Sequence, residues 1–119
     1  MKSPVYAFTL GLFVASLCAI APLVSTAHPS IDIVASNWKF TPGTITVPPG
    51  EPTTLRLTSS EGVHGIASKE LGISDTTIMP NKFVTVTFTP SAAGTYVVHC
   101  SVVCGAGHPN MTLTIKVQK

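Results

Sequence analysis

At 119 residues the chain has room for one domain and is short for two of ordinary size. Charged residues make up 10% of it and hydrophobic residues 45%, which excludes a disordered, highly charged tail. Seven Lys and Arg against five Asp and Glu give a formal net charge of +2, without the basic stripe of a nucleic-acid binder.

In chain order, the first feature is an apolar leader. No side chain from Ser3 to Ala27 is charged, and Lys2 stands just before that stretch. The apolar run from Val5 to Ile20 meets Pro22, and Ser25-Thr26-Ala27 follows. Small residues at Ser25 and Ala27 suit the −3 and −1 positions of a signal-peptidase site. This predicts a signal peptide over 1–27 and a mature domain over 28–119. The competing reading is a retained anchor, because residues 5–24 could span a bilayer, which takes roughly 20 residues. The short run before Pro22 and the small-residue exit favour cleavage. Cys18 makes a poor lipobox cysteine, since bulky Leu17 precedes it. Under either reading the domain folds outside the cytoplasm, as a periplasmic protein or a membrane-anchored one.

Beyond the leader, apolar and hydroxylated residues alternate with a period of two, the signature of half-buried strands. Ile31 to Ala35 and Thr44 to Val47 are short candidates, and Leu55 and Leu57 flank Arg56. Val84, Val86 and Phe88 alternate with Thr85 and Thr87. Thr95 to His99 follows, and Leu113, Ile115 and Val117 then alternate with Thr112, Thr114 and Lys116. Thr41-Pro42-Gly43, Pro48-Pro49-Gly50, Met79-Pro80-Asn81 and Pro90 to Gly94 punctuate these segments. Six or seven short strands at such spacing, with no convincing helix after the leader, predict an all-β sandwich.

Between the last two strands lies Cys100-Ser101-Val102-Val103-Cys104-Gly105-Ala106-Gly107-His108-Pro109-Asn110-Met111. Two cysteines in an exported domain first suggest a disulfide. The pattern C-x3-C-x3-H-x2-M is more specific. Thiolate, imidazole and thioether form a soft donor set that suits copper and suits calcium or magnesium badly. Gly105 and Gly107 allow the tight turn that brings Cys104 and His108 to one centre. Met111 shares the parity of Leu113, Ile115 and Val117, so its sulfur is expected to face inward. His64, in Glu61-Gly62-Val63-His64-Gly65-Ile66, is the candidate ligand from outside the loop. Alone it reads as an ordinary loop histidine, and beside the complete loop it reads as a ligand.

With these residues in place, the segment from about Ile33 to Val117 resembles the cupredoxins that carry a dinuclear copper A (CuA) centre. That group comprises the soluble domain of subunit II of haem–copper cytochrome oxidases and the corresponding domain of nitrous-oxide reductase. The resemblance covers Phe40-Thr41-Pro42, Ile45-Thr46-Val47-Pro48-Pro49-Gly50, Val63-His64-Gly65 and the whole Cys-Cys-His-Met loop. It implies a Greek-key sandwich in which Cys100 and Cys104 bridge two copper ions. His64 and His108 would bind one copper each. Met111 would be a weak ligand to one copper, and the Val102 backbone carbonyl a weak ligand to the other. It also implies electron transfer from a donor such as a cytochrome c or a small cupredoxin to a haem–copper oxidase.

The chain departs from that pattern in three places. Many oxidase subunits carry Glu where Val102 stands, and its carboxylate reaches a second metal at the subunit boundary; Val102 keeps only the carbonyl. The aromatic cluster that admits electrons is reduced to Trp38. Acidic residues are scattered over Asp32, Glu51, Glu61, Glu70 and Asp75, which makes a thin docking surface for cytochrome c. Of the other histidines, His99 is expected to face away from Cys100. His28 would become the new N-terminus after cleavage and could chelate copper there. Three rival readings remain: copper delivery with the same ligands, a mononuclear blue-copper site at His64, Cys104, His108 and Met111, and a structural disulfide or zinc site.

Overall fold

The computed structural model describes residues 2–5, 11–22 and 27–119. Part of the leader, including Ser25 and Thr26 of the expected cleavage exit, lies outside the described residues. Among the described residues, no helix is long and apolar enough to cross a membrane.

The domain is all-β. Its strands are β1 (Ser30–Ser36), β2 (Lys39–Thr41), β3 (Thr44–Val47), β4 (Thr53–Ser59), β5 (His64–Ser68), β6 (Ile73–Ile78), β7 (Val84–Phe88), β8 (Gly94–His99) and β9 (Thr112–Val117). One sheet has the order β2-β1-β4-β7 and the other the order β3-β9-β8, while β5 and β6 form a separate hairpin. β1 pairs parallel with β4, and β3 pairs parallel with β9. Each of these parallel neighbours is therefore reached by a crossover and not by a hairpin turn.

Alternation explains which face of each strand turns inward. In β4, Thr53, Leu55, Leu57 and Ser59 are buried, and the residues between them are partly exposed. In β9, Leu113, Ile115 and Val117 are buried and Lys116 is exposed. Ile33, Leu55 and Leu57 from the first sheet join Val98, Leu113 and Ile115 from the second in one continuous core. The outer face is hydroxylated, and the Thr54 and Thr87 side chains share a 2.9 Å hydrogen bond across the β4–β7 pair. Beside it, Arg56 bonds Asp32 at 3.0 Å on the same exposed face, a pairing that adds little stability in water.

All six segments expected from alternation are strands. The structure adds β2 and the β5–β6 hairpin. The hairpin escapes the period-two test because His64, Gly65 and Ile66 are buried in succession. It is fastened to the sandwich at two places, by a bridge between Ser59 and Pro80 and by one between Ile66 and Cys100. The second of these connects the hairpin directly to the cysteine loop.

Leu113 is fully buried in the centre of this core. Truncating it removes apolar contacts and leaves a cavity that the two sheets can only partly close. Leu113→Ala is expected to lower unfolding stability by about 2–5 kcal/mol, read from urea titration. Lys116→Ala, on the exposed side of the same strand, is expected to stay within about 0.5 kcal/mol.

Candidate metal centre

The antiparallel pairing of β8 with β9 runs to His99 opposite Thr112 and continues for one further hydrogen bond, from the Cys100 N–H to the Met111 carbonyl at 3.0 Å. The intervening residues form a closed loop at the end of the sandwich. Cys100 faces the interior and is buried, whereas His99 is exposed, as strand parity requires. The loop ends in a single 3-10 turn over His108–Asn110, with Pro109 in its first positions. The Met111 N–H donates back to the His108 carbonyl at 3.2 Å, which sets Met111 inward and buries it completely.

His64 comes from the other side of the site. The sequence suggests a loop histidine, but the structure makes it the first residue of β5 and buries it fully. Its ring orientation is determined locally. The Nε2–H donates to the Glu61 carbonyl at 2.7 Å, so Nδ1 is left free to point at the cysteines. A ring nitrogen is directed in this way when the other nitrogen is held by a backbone acceptor. Gly62 is needed for that turn. Its φ is +77°, and a Cβ there would meet the Asn37 side-chain oxygen at 2.9 Å and His64 Nε2 at 3.2 Å. Asn37 in turn donates to the Glu61 carboxylate, and Ser59 Oγ donates to the Gly62 carbonyl at 2.6 Å.

The donor atoms form a two-sided row. His64 Nδ1 lies 3.9 Å from Cys100 Sγ, the two Sγ atoms are 3.6 Å apart, and Cys104 Sγ lies 3.6 Å from His108 Nδ1. Met111 Sδ stands 3.7 Å from Cys104 Sγ, and the Val102 carbonyl oxygen stands 3.2 Å from Cys100 Sγ. One donor atom each from His64, Cys100 and Cys104 lies within 4.8 Å of the others. His108 extends that group through Cys104. The Val102 side chain points elsewhere, against Gly65, where a Cβ would meet its Cγ2 at 2.9 Å. His28 is exposed, and neither it nor His99 joins a cluster of ligating groups among the described residues.

Both cysteines are free thiols, which leaves them available to a metal. The donor set fits copper: two thiols, two imidazole nitrogens with their lone pairs turned inward, and a thioether. It offers no carboxylate, so a hard cation would find only one backbone oxygen. Trp38, isolated in the sequence, reaches the same loop: its indole Nε1–H donates to the Cys104 carbonyl at 2.9 Å. Nothing in local spacing identifies that contact.

Residues 6–115 match the cupredoxin-like domain family. The chain is a cupredoxin. It is 30% identical over 90 residues to cytochrome c oxidase subunit 2 of Thermus thermophilus, a stretch covering 76% of this chain and 66% of that protein. A second subunit 2, from another strain of the same species, is also 30% identical, and there the match spans 53% of the relative's length. This cupredoxin thus spans only about half to two thirds of the subunit 2 relatives it matches. Among solved structures, the periplasmic domain of subunit II of cytochrome oxidase (CoxB) of Bradyrhizobium japonicum superposes with a TM-score of 0.71. It is 18% identical, with 82% of this chain and 88% of that chain covered. The blue copper protein auracyanin A of Chloroflexus aurantiacus superposes at 0.62 with 20% identity, covering 77% of this chain and all of its own. The two superpositions establish the cupredoxin fold. Homology to oxidase subunit 2, with a histidine beside two cysteines, fits a CuA-like site, and the family and donor set together support copper.

The environment of this cupredoxin's thiols sets a pH dependence. Burial first, then the neighbouring Cys100 as hydrogen-bond partner and as like charge, pushes the Cys104 thiol from 9.0 up to about 11. The folded domain therefore holds this proton more tightly than the unfolded chain does. Its contribution to stability is complete below pH 9.0 and is lost as the pH rises to about 11. The urea midpoint of the metal-free domain is expected to fall across that window, and part of the fall should vanish in Cys104→Ser. Metal binding must displace the same proton, so copper affinity is expected to weaken as the pH drops.

Proposed function

We propose that the domain is an extracytoplasmic electron-transfer module that holds a dinuclear CuA centre. His64, Cys100, Cys104, His108 and Met111 are the side-chain ligands, and Val102 contributes its carbonyl. The observation that carries this reading is the row His64–Cys100–Cys104–His108, with the two sulfurs 3.6 Å apart and an imidazole nitrogen outside each. A one-metal site needs both imidazoles around one thiolate. Here His64 stands beside Cys100, the cysteine that a mononuclear site would leave unused.

Copper bound there would supply a one-electron couple. The protein's part is to keep the donors still and dry. Cys100, His64 and Met111 are buried, and strand β9, the 3-10 turn and the Glu61 carbonyl fix their directions. Donors that scarcely move between oxidation states keep the reorganisation cost of electron transfer low. All the inward-facing positions are protein ligands, which leaves no place for a substrate. Copper delivery is less consistent with this burial, since a donor that surrenders metal needs accessible sulfur. Met111 is fully buried, and Met79 is exposed but stands outside the row.

In this reading the donor is a cytochrome c or a small cupredoxin, and the acceptor is a haem–copper oxidase. The 1–27 leader directs the domain to the periplasm, by cleavage after Ala27 or as a retained anchor. Expression with export is expected to yield a soluble protein whose mass begins at His28. Intact Met1 ends in the membrane fraction would instead establish the anchored form.

The direct test is reconstitution of residues 28–119 with copper, followed by metal counting and electron paramagnetic resonance. Two coppers per chain and a delocalised mixed-valence signal are expected. One copper with an ordinary blue-copper hyperfine pattern would assign the mononuclear alternative, and no copper uptake would remove both.

A further inference from the structure

Trp38 sits in the turn between β1 and β2, remote in sequence from the ligand loop, and is 41% exposed. Its ring nevertheless lies flat along that loop. A Cβ at Gly107 would collide with the indole Cγ and Cδ2, and one at Gly105 would come within 3.1 Å of Nε1 and Cζ2. Backbone therefore packs directly against the indole face, an approach that only glycine permits at position 107. The indole N–H donates to the Cys104 carbonyl at 2.9 Å.

These contacts all fall on the stretch between two ligands, Cys104 and His108. Ser101 is tied to β5 by its N–H to the Gly65 carbonyl at 3.1 Å, and Met111 is tied by the β-ladder. Between those anchors, the backbone bond from the His108 N–H to the Gly105 carbonyl, 3.1 Å, is internal to the loop. Among the described residues, Trp38 supplies the side-chain hydrogen bond that reaches this stretch from another element. Without it, the Cys104 thiol and the His108 ring would hang on a glycine-rich segment with many accessible conformations.

We propose that Trp38 is a positioning residue for the metal centre. It clamps the Cys104–His108 segment in its ligating arrangement before metal arrives, through the N–H bond to Cys104 and through ring contact with Gly105 and Gly107. This rests on the copper reading above. Loss of the clamp raises the entropy of the metal-free loop and so speeds metal loss, while the core and its strands are untouched. The indole N–H also directs the positive end of its dipole towards the site, which favours the more electron-rich, reduced state.

The test compares the copper-loaded parent domain with Trp38→Phe, which keeps an aromatic ring and lacks the donor, and with Gly107→Ala, whose methyl group displaces the ring. Copper transfer to a bathocuproine-type Cu(I) chelator is expected to run about five- to tenfold faster in Trp38→Phe, the scale of one hydrogen bond. It should run at least as fast in Gly107→Ala. The reduction potential of Trp38→Phe should fall below that of the parent, and the urea midpoint of its metal-free form should be unchanged. A parent that takes up no copper would overturn the function on which this inference rests. A parent that binds copper, with both variants releasing it at the parental rate and potential, would overturn the inference alone. A metal-free Trp38→Phe destabilised in proportion to its copper loss would also overturn it, since Trp38 would then support the fold in general.

Discussion

The structure depends on the antiparallel pairing of β8 with β9 and on the hydrogen bond that closes the loop between them. That pairing places Cys100 and Met111 at facing ends of a rigid ladder. The loop between must then return on itself, and Cys104 and His108 fall on its inner side. Two thiols, a thioether and an imidazole become neighbours because the strands leave the loop little room. Placing these groups together in a water-poor site costs free energy, as the raised Cys104 thiol shows. The buried sandwich beneath the loop offsets that cost.

The second imidazole is supplied by a separate device. β5 begins at His64, and its hairpin is bridged to β4 at one end and to Cys100 at the other. The position of His64 is thus set by backbone pairing, and its ring direction by the Glu61 carbonyl. Gly62 matters because it lets that carbonyl turn back over the imidazole. A ligand held through main-chain hydrogen bonds on both sides has few alternative orientations. This is the rigidity that electron transfer favours.

The resemblance to both an oxidase domain and a blue copper protein is a property of the scaffold. Both chemistries use a loop before the last strand and a histidine from elsewhere. What separates them is where the sulfurs lie relative to the imidazoles. With a second cysteine four residues before Cys104, His64 acquires a sulfur neighbour of its own. The replacement of the usual Glu by Val102 leaves this arrangement intact, because the carbonyl faces the cysteine while the side chain packs on Gly65.

Alternation along β4, β7 and β9 was readable from the residues alone, because a strand with one wet face must alternate. The ligand types and the inward parity of Met111 were readable for a similar reason: loop spacing and strand period are local. The β5–β6 hairpin was not, since three consecutive buried residues at its start erase the period. His64 could be named as a ligand only by resemblance. Its burial, and which nitrogen it turns inward, depend on a carbonyl three residues back and on the asparagine and serine that brace that turn. Trp38 shows the limit most clearly, because its contact with Cys104 joins residues 66 positions apart. The sequence by itself determined the all-β class, the strand faces and the soft donor set, which arise from neighbouring residues. Only the tertiary structure decided the order of donors along the row, the ring direction of His64 and the Trp38 clamp. Those depend on which distant backbones the sheet pairings bring within hydrogen-bonding reach.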